Sequence, residues 1–465
     1  MGAPDPSLTA TSGVAAVAEF VETLDVVALF DRGIGSIKKR ARGATAGQLL
    51  VGMAQSQLLG GEALVALDRQ RRDVAAVELS AVPPIPATTA GALAARFTAE
   101  HFAGVEAANA ELIARAHRLL PHQRRAALSS SVTIDMDSTD VEVYGSKKKG
   151  MAYNYAGQRC GRPHLATWAE AGLSVAADLL AGNEDVRPRA AGLLDRALAG
   201  IPEPVRDAAA AVDRLRTRAD AGYFTGDLAL AAVAAGCDFA IAAKRNTAMW
   251  RAYATISADA WDDALGMAGA QVAAVDYAPT GWPEDTYTIV RRVRVDADTI
   301  SADPRSRRRR TIDKDQLALA LEGTATHAYA VSFIVTNIPT HTDPTKGETV
   351  LDVEAWFRRR TDIEDRIREA KLGAALRHLP SGSATVNTVW MWAALLAGNL
   401  STLLQALTSI DEPHGRAHGA RLRHELLCVP ARLVHHGRTL TLRLPLGDHL
   451  LPAVLTRIRE LEPAA

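Results

Sequence analysis

The feature that most constrains the fold is a change of pattern at residue 131. From residue 14 to about 130, apolar positions recur at helical spacing and alanine is abundant, which predicts helices without strands. From 131 to 144 the residues alternate as in a β-strand, with the sequence SVTIDMDSTDVEVY. Strand-like and helical segments then follow one another. This order is typical of an α/β layered architecture.

The later segments give the expected order of elements. Strands are predicted at 164–170, 173–180 and 237–244, and helices at 187–199 and about 226–235. A β-rich insertion at 249–345 contains strands at 271–277, 286–295 and 327–336. The C-terminal part predicts helices at 350–374, 384–408 and 449–461 and a β-hairpin at 426–445. We therefore expect a helical N-terminal domain (1–130), a core in two parts (131–248 and 346–465) and the insertion (249–345).

A proline-rich break divides the N-terminal helices at Pro83–Pro86. Thr88 and Thr89 could cap a new helix that begins near Ala90 and runs through Arg96. Two short helices around such a turn fit a helix-turn-helix for DNA end binding, and they fit a plain helical hairpin in a bundle equally well.

Composition narrows the class of protein. The chain has 465 residues, with 53 Lys and Arg against 53 Asp and Glu. Its zero net charge argues against a nucleic-acid partner at the scale of the whole chain. No run approaches the ~20 apolar residues of a membrane span and no secretion signal is recognisable, so we expect a soluble, cytoplasmic protein. Cys160, Cys237 and Cys428 lie far apart, which favours reduced thiols.

Three aspartates lie in predicted strands or directly after them. Asp135 and Asp137 lie two residues apart in a predicted strand and so project from the same face. Asp220 precedes Gly222 at the expected end of a strand, where functional residues of α/β sheets concentrate. A turn or helix-cap aspartate is the simpler interpretation of Asp220 alone.

A charged stripe follows on a predicted helix. Arg360, Glu364, Ile367 and Lys371 are spaced by four, three and four residues and so share one helical face. A solvated, ion-paired helix would place such charges outward. Here Phe357 and Ile367 accompany them, which indicates a sheltered face.

This stripe carries a family resemblance. The pattern Phe357-x2-Arg360-x3-Glu364-x6-Lys371 resembles the Tyr-x2-Arg-x3-Glu-x6-Lys signature of DDE insertion-sequence transposases, with Phe357 in the place of the tyrosine. Further segments resemble the same group: Asp137-Ser138-Thr139, Tyr153-Asn154-Tyr155, Arg162-Pro163-His164, Gly182-Asn183-Glu184-Asp185 and Arg218-Ala219-Asp220-Ala221-Gly222-Tyr223. The long interval between Asp220 and Glu364 is where some members insert a β-rich domain.

The resemblance implies an RNase H-like catalytic core interrupted by the β-rich insertion. It makes Asp137, Asp220 and Glu364 the catalytic residues and the ligands of two Mg²⁺ or Mn²⁺ ions. Oxygen ligands suit these hard cations, and a two-ion site can stabilise both oxygens of an in-line phosphoryl displacement. Asp135 is the alternative first acid, and the Asp-x-Thr pattern favours Asp137.

The same resemblance implies DNA as the partner. Arg360 and Lys371 would contact phosphates, and Phe357, Lys147 and Lys148 join them as candidate DNA-binding residues. The expected function is cut-and-paste transposition: cleavage at the terminal inverted repeats, then strand transfer into target DNA. A homodimer would hold the paired ends in a synaptic complex, in a bacterial cytoplasm and near the nucleoid.

Two other functions stay open from sequence. One is a stand-alone nuclease on the same core, and the other is a catalytically silent DNA-binding regulator derived from a transposase. The neutral net charge excludes none of the three, because basic residues cluster locally, as at 305–310.

Overall fold

A mixed β-sheet flanked by helices forms the centre of the protein. The computed structural model describes residues 3–39, 42–437 and 439–461. The strands within these residues are β1 (Leu8–Thr9), β2 (Val132–Ser138), β3 (Val141–Glu142), β4 (Ala152–Tyr153), β5 (Arg159–Trp168), β6 (Leu173–Ala181), β7 (Leu215–Ala219), β8 (Asp238–Ala242), β9 (Asp262–Asp263), β10 (Ala270–Val275), β11 (Tyr287–Asp296), β12 (His327–Thr336), β13 (Ala431–His436) and β14 (Thr439–Arg443).

Helices fill the N-terminal part and both faces of the sheet. In the same described ranges they are α1 (Val14–Thr23), α2 (Val26–Ile34), α3 (Ala46–Leu58), α4 (Val65–Gln70), α5 (Val74–Glu78), α6 (Ala87–Ala94), α7 (Ala99–Leu119), α8 (His122–Ser129), α9 (Arg187–Ala199), α10 (Glu203–Ala210), α11 (Gly226–Ala234), α12 (Thr247–Ala254), α13 (Lys314–Leu321), α14 (Val350–Arg358), α15 (Asp362–Leu372), α16 (Ala384–Thr408), α17 (Gly419–Leu422) and α18 (Leu450–Glu460). The α/β class expected from the sequence is confirmed.

The central sheet has the order β3-β5-β2-β7-β8-β12-β11-β10-β9, with β4 and β6 also paired to β5. Strands β2, β7 and β8 are parallel neighbours, and β5 pairs with β2 in the antiparallel sense. The strands of the expected insertion join this sheet, because β12 pairs with β8, Val335 lying opposite Ile241. The β-rich segment therefore continues the core sheet at its edge.

The N-terminal helices share a hydrophobic core with the sheet. Helix α16 lies between them, and the Gln57 side chain of α3 donates a hydrogen bond to the Trp390 carbonyl of α16 at 3.2 Å. The Asn399 amide of α16 bonds both Asn109 of α7 and the Ser174 carbonyl of β6, each at 2.9 Å. Helix α16 is apolar and long enough to cross a membrane, and 89% of its most apolar window is buried inside the protein.

Two helix boundaries differ from the sequence expectation. Helix α6 begins at Ala87 after Pro86, so Thr88 and Thr89 lie inside the helix instead of capping it. The helix expected over 350–374 is divided into α14 and α15 by a 3-10 turn at Arg359–Thr361. The charged stripe therefore begins in this turn, at Arg360, and continues along α15.

Candidate active site

Asp137 and Asp220 come together at one edge of the central sheet. Strands β2 and β7 run parallel with Met136 opposite Ala219. The next residue in the chain is an aspartate in both cases, Asp137 after Met136 and Asp220 after Ala219. Ligand sites of open α/β sheets lie at such carboxyl ends. Asp220 ends β7 because its Oδ1 accepts a hydrogen bond from the Gly222 N–H at 2.7 Å and caps the 3-10 turn Ala221–Tyr223.

Electrostatics mark Asp137 as an unusual carboxylate. Its side chain is 16% exposed, and burial raises its pKa to about 6, with the Asp220 charge as the next cause. The Ser138 N–H and the charge of Arg360 oppose this shift. Two carboxylates at one partly buried edge repel each other, which favours a cation between them.

Glu364 approaches from α15. It lies in the first turn of that helix and is 61% exposed, and its charge also raises the pKa of Asp137. The Arg360 guanidinium lies between the two acids, 3.8 Å from Asp137 Oδ2 and 3.9 Å from Glu364 Oε1. Within the described ranges, no three carboxylate, imidazole or thiol groups are close enough to bind one metal ion together.

Asp135 has a different environment from Asp137, although both share a strand face. It is fully buried and forms a two-point ion pair with Arg218 on β7, at 2.5 and 3.1 Å. The Arg218 guanidinium lies 5.0 Å from the centre of the Trp356 ring and donates to the Trp356 carbonyl. Asp135 is thus engaged inside the protein, and Asp137 is the acid that reaches the edge.

Lys371 is held by the loop that follows β2. Its Nζ donates to Thr139 Oγ1 at 2.6 Å and to the Asp140 carbonyl at 3.0 Å. Burial lowers the pKa of Lys371, and Asp140 partly offsets this effect. Lys371 therefore connects α15 to the loop beside Asp137.

Sequence reasoning gave no role to Asp140, which organises this loop. Its carboxylate accepts hydrogen bonds from Arg162 Nε and Asn154 Nδ2, both at 2.8 Å. Arg162 also donates to the Glu184 carbonyl at 2.8 Å. The signal was present, because these partners belong to the short segments around residues 154, 162 and 184 that carry the family resemblance.

A buried aromatic pair, Tyr223 and His164, lies close to Asp137 and Asp220. Tyr223 stacks on His164, their ring centres 5.6 Å apart, and both side chains are buried. His164 lies opposite Ser138 in the β2–β5 pair. Burial raises the pKa of Tyr223 well above its ordinary value, followed by the charges of Asp137 and Asp220. The phenol stays neutral and serves as packing.

The remaining candidate DNA contacts differ in their exposure. Phe357 is buried in a cluster with Val353 and Ile334, where its ring packs against apolar side chains. Lys148 is half-buried and donates to the Leu379 carbonyl. Lys147 is exposed. Of these three residues, only Lys147 presents its side chain freely to solvent.

The chain matches a known protein family over nearly its whole length. A family model described as transposase DDE domain group 1 matches residues 6–304 and 306–463. Among solved structures, the chain is similar to piggyBac transposase in a synaptic complex with hairpin DNA, with a TM-score of 0.41, 10% identity and coverage of 89% of this chain and 79% of that chain. No curated protein matches. The family match confirms the resemblance carried by the Arg-Glu-Lys signature, and the chain belongs to the DDE-domain transposases of group 1.

Proposed function

We propose that the protein is a cut-and-paste DNA transposase that cleaves at its terminal inverted repeats and transfers the freed 3′ ends into target DNA. One observation carries the proposal: Asp137 near the end of β2 and Asp220 directly after the parallel strand β7 lie at one edge of the sheet, and the charge of Glu364 reaches the same edge. Membership of the family supports DNA transposition as the process. The order of strands around β2 is consistent with an RNase H-like core.

The acidic edge fits a divalent metal in its chemistry. Asp137 and Asp220 offer hard oxygen donors, and burial together with the charge of Asp220 raises the pKa of Asp137, so a cation beside the two carboxylates would be favourable. Glu364, exposed on the first turn of α15, would complete the ligand set by rotating past Arg360. Two bound Mg²⁺ or Mn²⁺ ions would supply Lewis-acid stabilisation of the attacking and leaving oxygens.

The surrounding cations have separate tasks in this proposal. Arg360 lies between Asp137 and Glu364, so its guanidinium is placed to receive a non-bridging phosphate oxygen of the cleaved strand. Lys371 positions the loop after β2 through Thr139 and Asp140. Lys147 is the exposed cation that would contact the DNA backbone.

The assembly is a homodimer holding two paired DNA ends, acting in the cytoplasm at the nucleoid. The family's chemistry requires two ends to be joined to one target, which one protomer per end would satisfy.

A strand-transfer assay with paired end DNA and Mg²⁺ tests the proposal. The wild-type chain should cleave and join, and Glu364→Gln should lose both reactions by at least about 100-fold while it still binds end DNA. Asp365→Asn is the matched control, because Asp365 is the next residue of α15, is exposed and contacts Arg368 at 2.7 Å. Cleavage without joining would select the nuclease, and binding without cleavage would select the silent regulator.

A further inference from the structure

A cavity of about 350 Å³ lies on the far side of α15 from the acidic edge. Its walls come from α7, α8, the turn between β5 and β6, α15 and α16. Positions 364 and 366 of a helix are separated by about 200° of rotation, so Arg366 points away from the face that carries Glu364. The cavity is therefore distinct from the proposed active site.

Cations outnumber available carboxylates along this cavity. Its lining includes Arg124, Arg366 and Arg416 against Glu170 and Asp411. Both acids are already engaged by other groups. Asp411 accepts a two-point ion pair from Arg124 at 2.8 and 2.9 Å. Glu170 accepts from the Thr133 N–H at 2.9 Å.

Arg366 and Arg416 are left without such a partner. In the part of the chain that the structure describes, Arg416 Nη1 donates to the neutral Thr402 hydroxyl at 3.0 Å and neither guanidinium forms an ion pair. Burial lowers the pKa of Arg416 to about 10, and the charge of Arg366 adds to this effect. Burial also lowers the pKa of Arg366. The charges of Glu369 and Asp365 partly offset this lowering at both arginines without forming an ion pair, so an anion in direct contact with the two guanidinium groups would still be favourable.

Several buried N–H groups of the lining also lack an acceptor. Among the described residues this holds for one nitrogen each of Trp168, Arg366 and Arg416. Leaving a buried donor unpaired costs about 1–3 kcal/mol. Trp168 is 1% exposed, so solvent does not satisfy its indole N–H. The lining thus carries hydrogen-bonding capacity that the protein itself does not use.

Gly172 leaves space for the side chain of Arg366. Gly172, in the turn between β5 and β6, has a φ of +64°, and a Cβ there would lie 2.9 Å from the Arg366 guanidinium carbon. The positive φ requires a glycine, and a Cβ there would also displace the end of the Arg366 side chain. The cavity is also lined by the apolar side chains of Leu120, Leu128 and Leu403, referred to as the leucine wall.

We propose that this cavity binds a small organic anion, with a phosphate or carboxylate group on Arg366 and Arg416 and an apolar body against the leucine wall. Guanidinium groups bind such planar or tetrahedral oxyanions through paired N–H donors. A volume of about 350 Å³ lies in the range of small-molecule sites. The site stands independently of the transposition chemistry.

Phenyl phosphate and inorganic phosphate are the probes for this site, measured by calorimetric titration of the full-length protein. Phenyl phosphate should bind saturably and at least tenfold more tightly than inorganic phosphate, because only it uses the apolar wall. Arg416→Gln should weaken phenyl phosphate at least tenfold. Arg421→Gln is the control, since Arg421 is exposed and contacts Glu425 at 2.8 Å.

A second variant guards against a folding defect in the first. Ala406→Leu narrows the apolar side of the cavity and should weaken phenyl phosphate more than inorganic phosphate. Equal affinity of the wild type, Arg416→Gln and Ala406→Leu would overturn the proposal. So would loss of duplex DNA binding in Arg416→Gln with phenyl phosphate binding unchanged, because the arginine would then serve the DNA backbone.

Discussion

Two aspartates of one strand face, two residues apart, have opposite surroundings. Asp135 is fully buried against Arg218, and Asp137 reaches the sheet edge beside Asp220. The sequence placed both on one face but could not choose between them from spacing, because the choice depends on a residue of the neighbouring strand. In the sequence, Arg218 is only part of a segment that resembles the family. Its pairing with Asp135 appears once the register of β2 and β7 is known.

Replacing Asp135 by asparagine should destabilise the fold. The change leaves the Arg218 charge buried without its partner, which costs about 3–5 kcal/mol. Urea denaturation followed by circular dichroism measures this loss, with Asp365→Asn expected to stay within about 0.5 kcal/mol of wild type. A fully stable Asp135→Asn protein that no longer cleaves DNA would instead make Asp135 the first catalytic acid.

The raised pKa of Asp137 predicts how stability depends on pH. Its pKa rises from 3.8 to about 6 on folding, so its favourable contribution is present below about pH 4 and is lost as the pH rises through 6. Without divalent metal, Asp137→Asn should therefore gain roughly 2–3 kcal/mol over wild type between pH 4 and pH 7. Unfolding free energies at both pH values, in EDTA, measure the difference. A difference that does not change with pH would contradict the buried, repelled state of Asp137.

At the scale of elements, the division between α14 and α15 was not visible in the sequence. The segment 350–374 has an unbroken helical pattern, with neither proline nor glycine before Gly373. The two helices serve different cores: Val353 and Phe357 pack with the edge strands, and Ile363 and Ile367 pack with the main core. Helical periodicity predicts that one face of a helix is apolar, but it does not predict which hydrophobic cluster that face packs against.

Most strands and helices were predictable because each carries its own period and its own boundary residues. The pairing of distant strands was not. Strand β1 at Leu8–Thr9 pairs with β13, Leu8 lying opposite Arg432, and the edge strands of the insertion extend the central sheet through β12. Such contacts depend on the packing of the whole chain, and no local pattern encodes them.

Lys371 provides a prediction about the junction of α15 with the loop after β2. Lys371→Met removes the hydrogen bonds to Thr139 and Asp140, at a cost of about 1–3 kcal/mol, and should slow cleavage. Amide hydrogen exchange of residues 139–142 should accelerate. Lys346→Met is the control, because Lys346 is largely exposed. Unchanged exchange together with a shallower salt dependence of DNA binding would show that Lys371 contacts phosphate instead.

At the scale of the whole molecule, the proposed metal ligands come from three distant parts of the chain. Asp137 lies near the end of β2, Asp220 directly follows β7, and Glu364 lies on α15 beyond the β-rich segment. The N-terminal helices α3 and α7 form hydrogen bonds with α16, so they belong to the same folded unit as the central sheet. Whole-chain neutrality is compatible with DNA binding because the net charge does not describe the local distribution: Asp137 and Asp220 lie at one sheet edge, and Lys147 is exposed in the loop after β3.

Binding of Mn²⁺ to the full-length protein, measured by calorimetric titration in the absence of DNA, tests the central claim most directly. The account predicts saturable binding to wild type and to Asp365→Asn, and at least tenfold weaker binding to Asp220→Asn and to Glu364→Gln, because each loses one anionic oxygen ligand. Equal Mn²⁺ affinity in all four proteins would contradict the assignment of Asp137, Asp220 and Glu364 as one metal site.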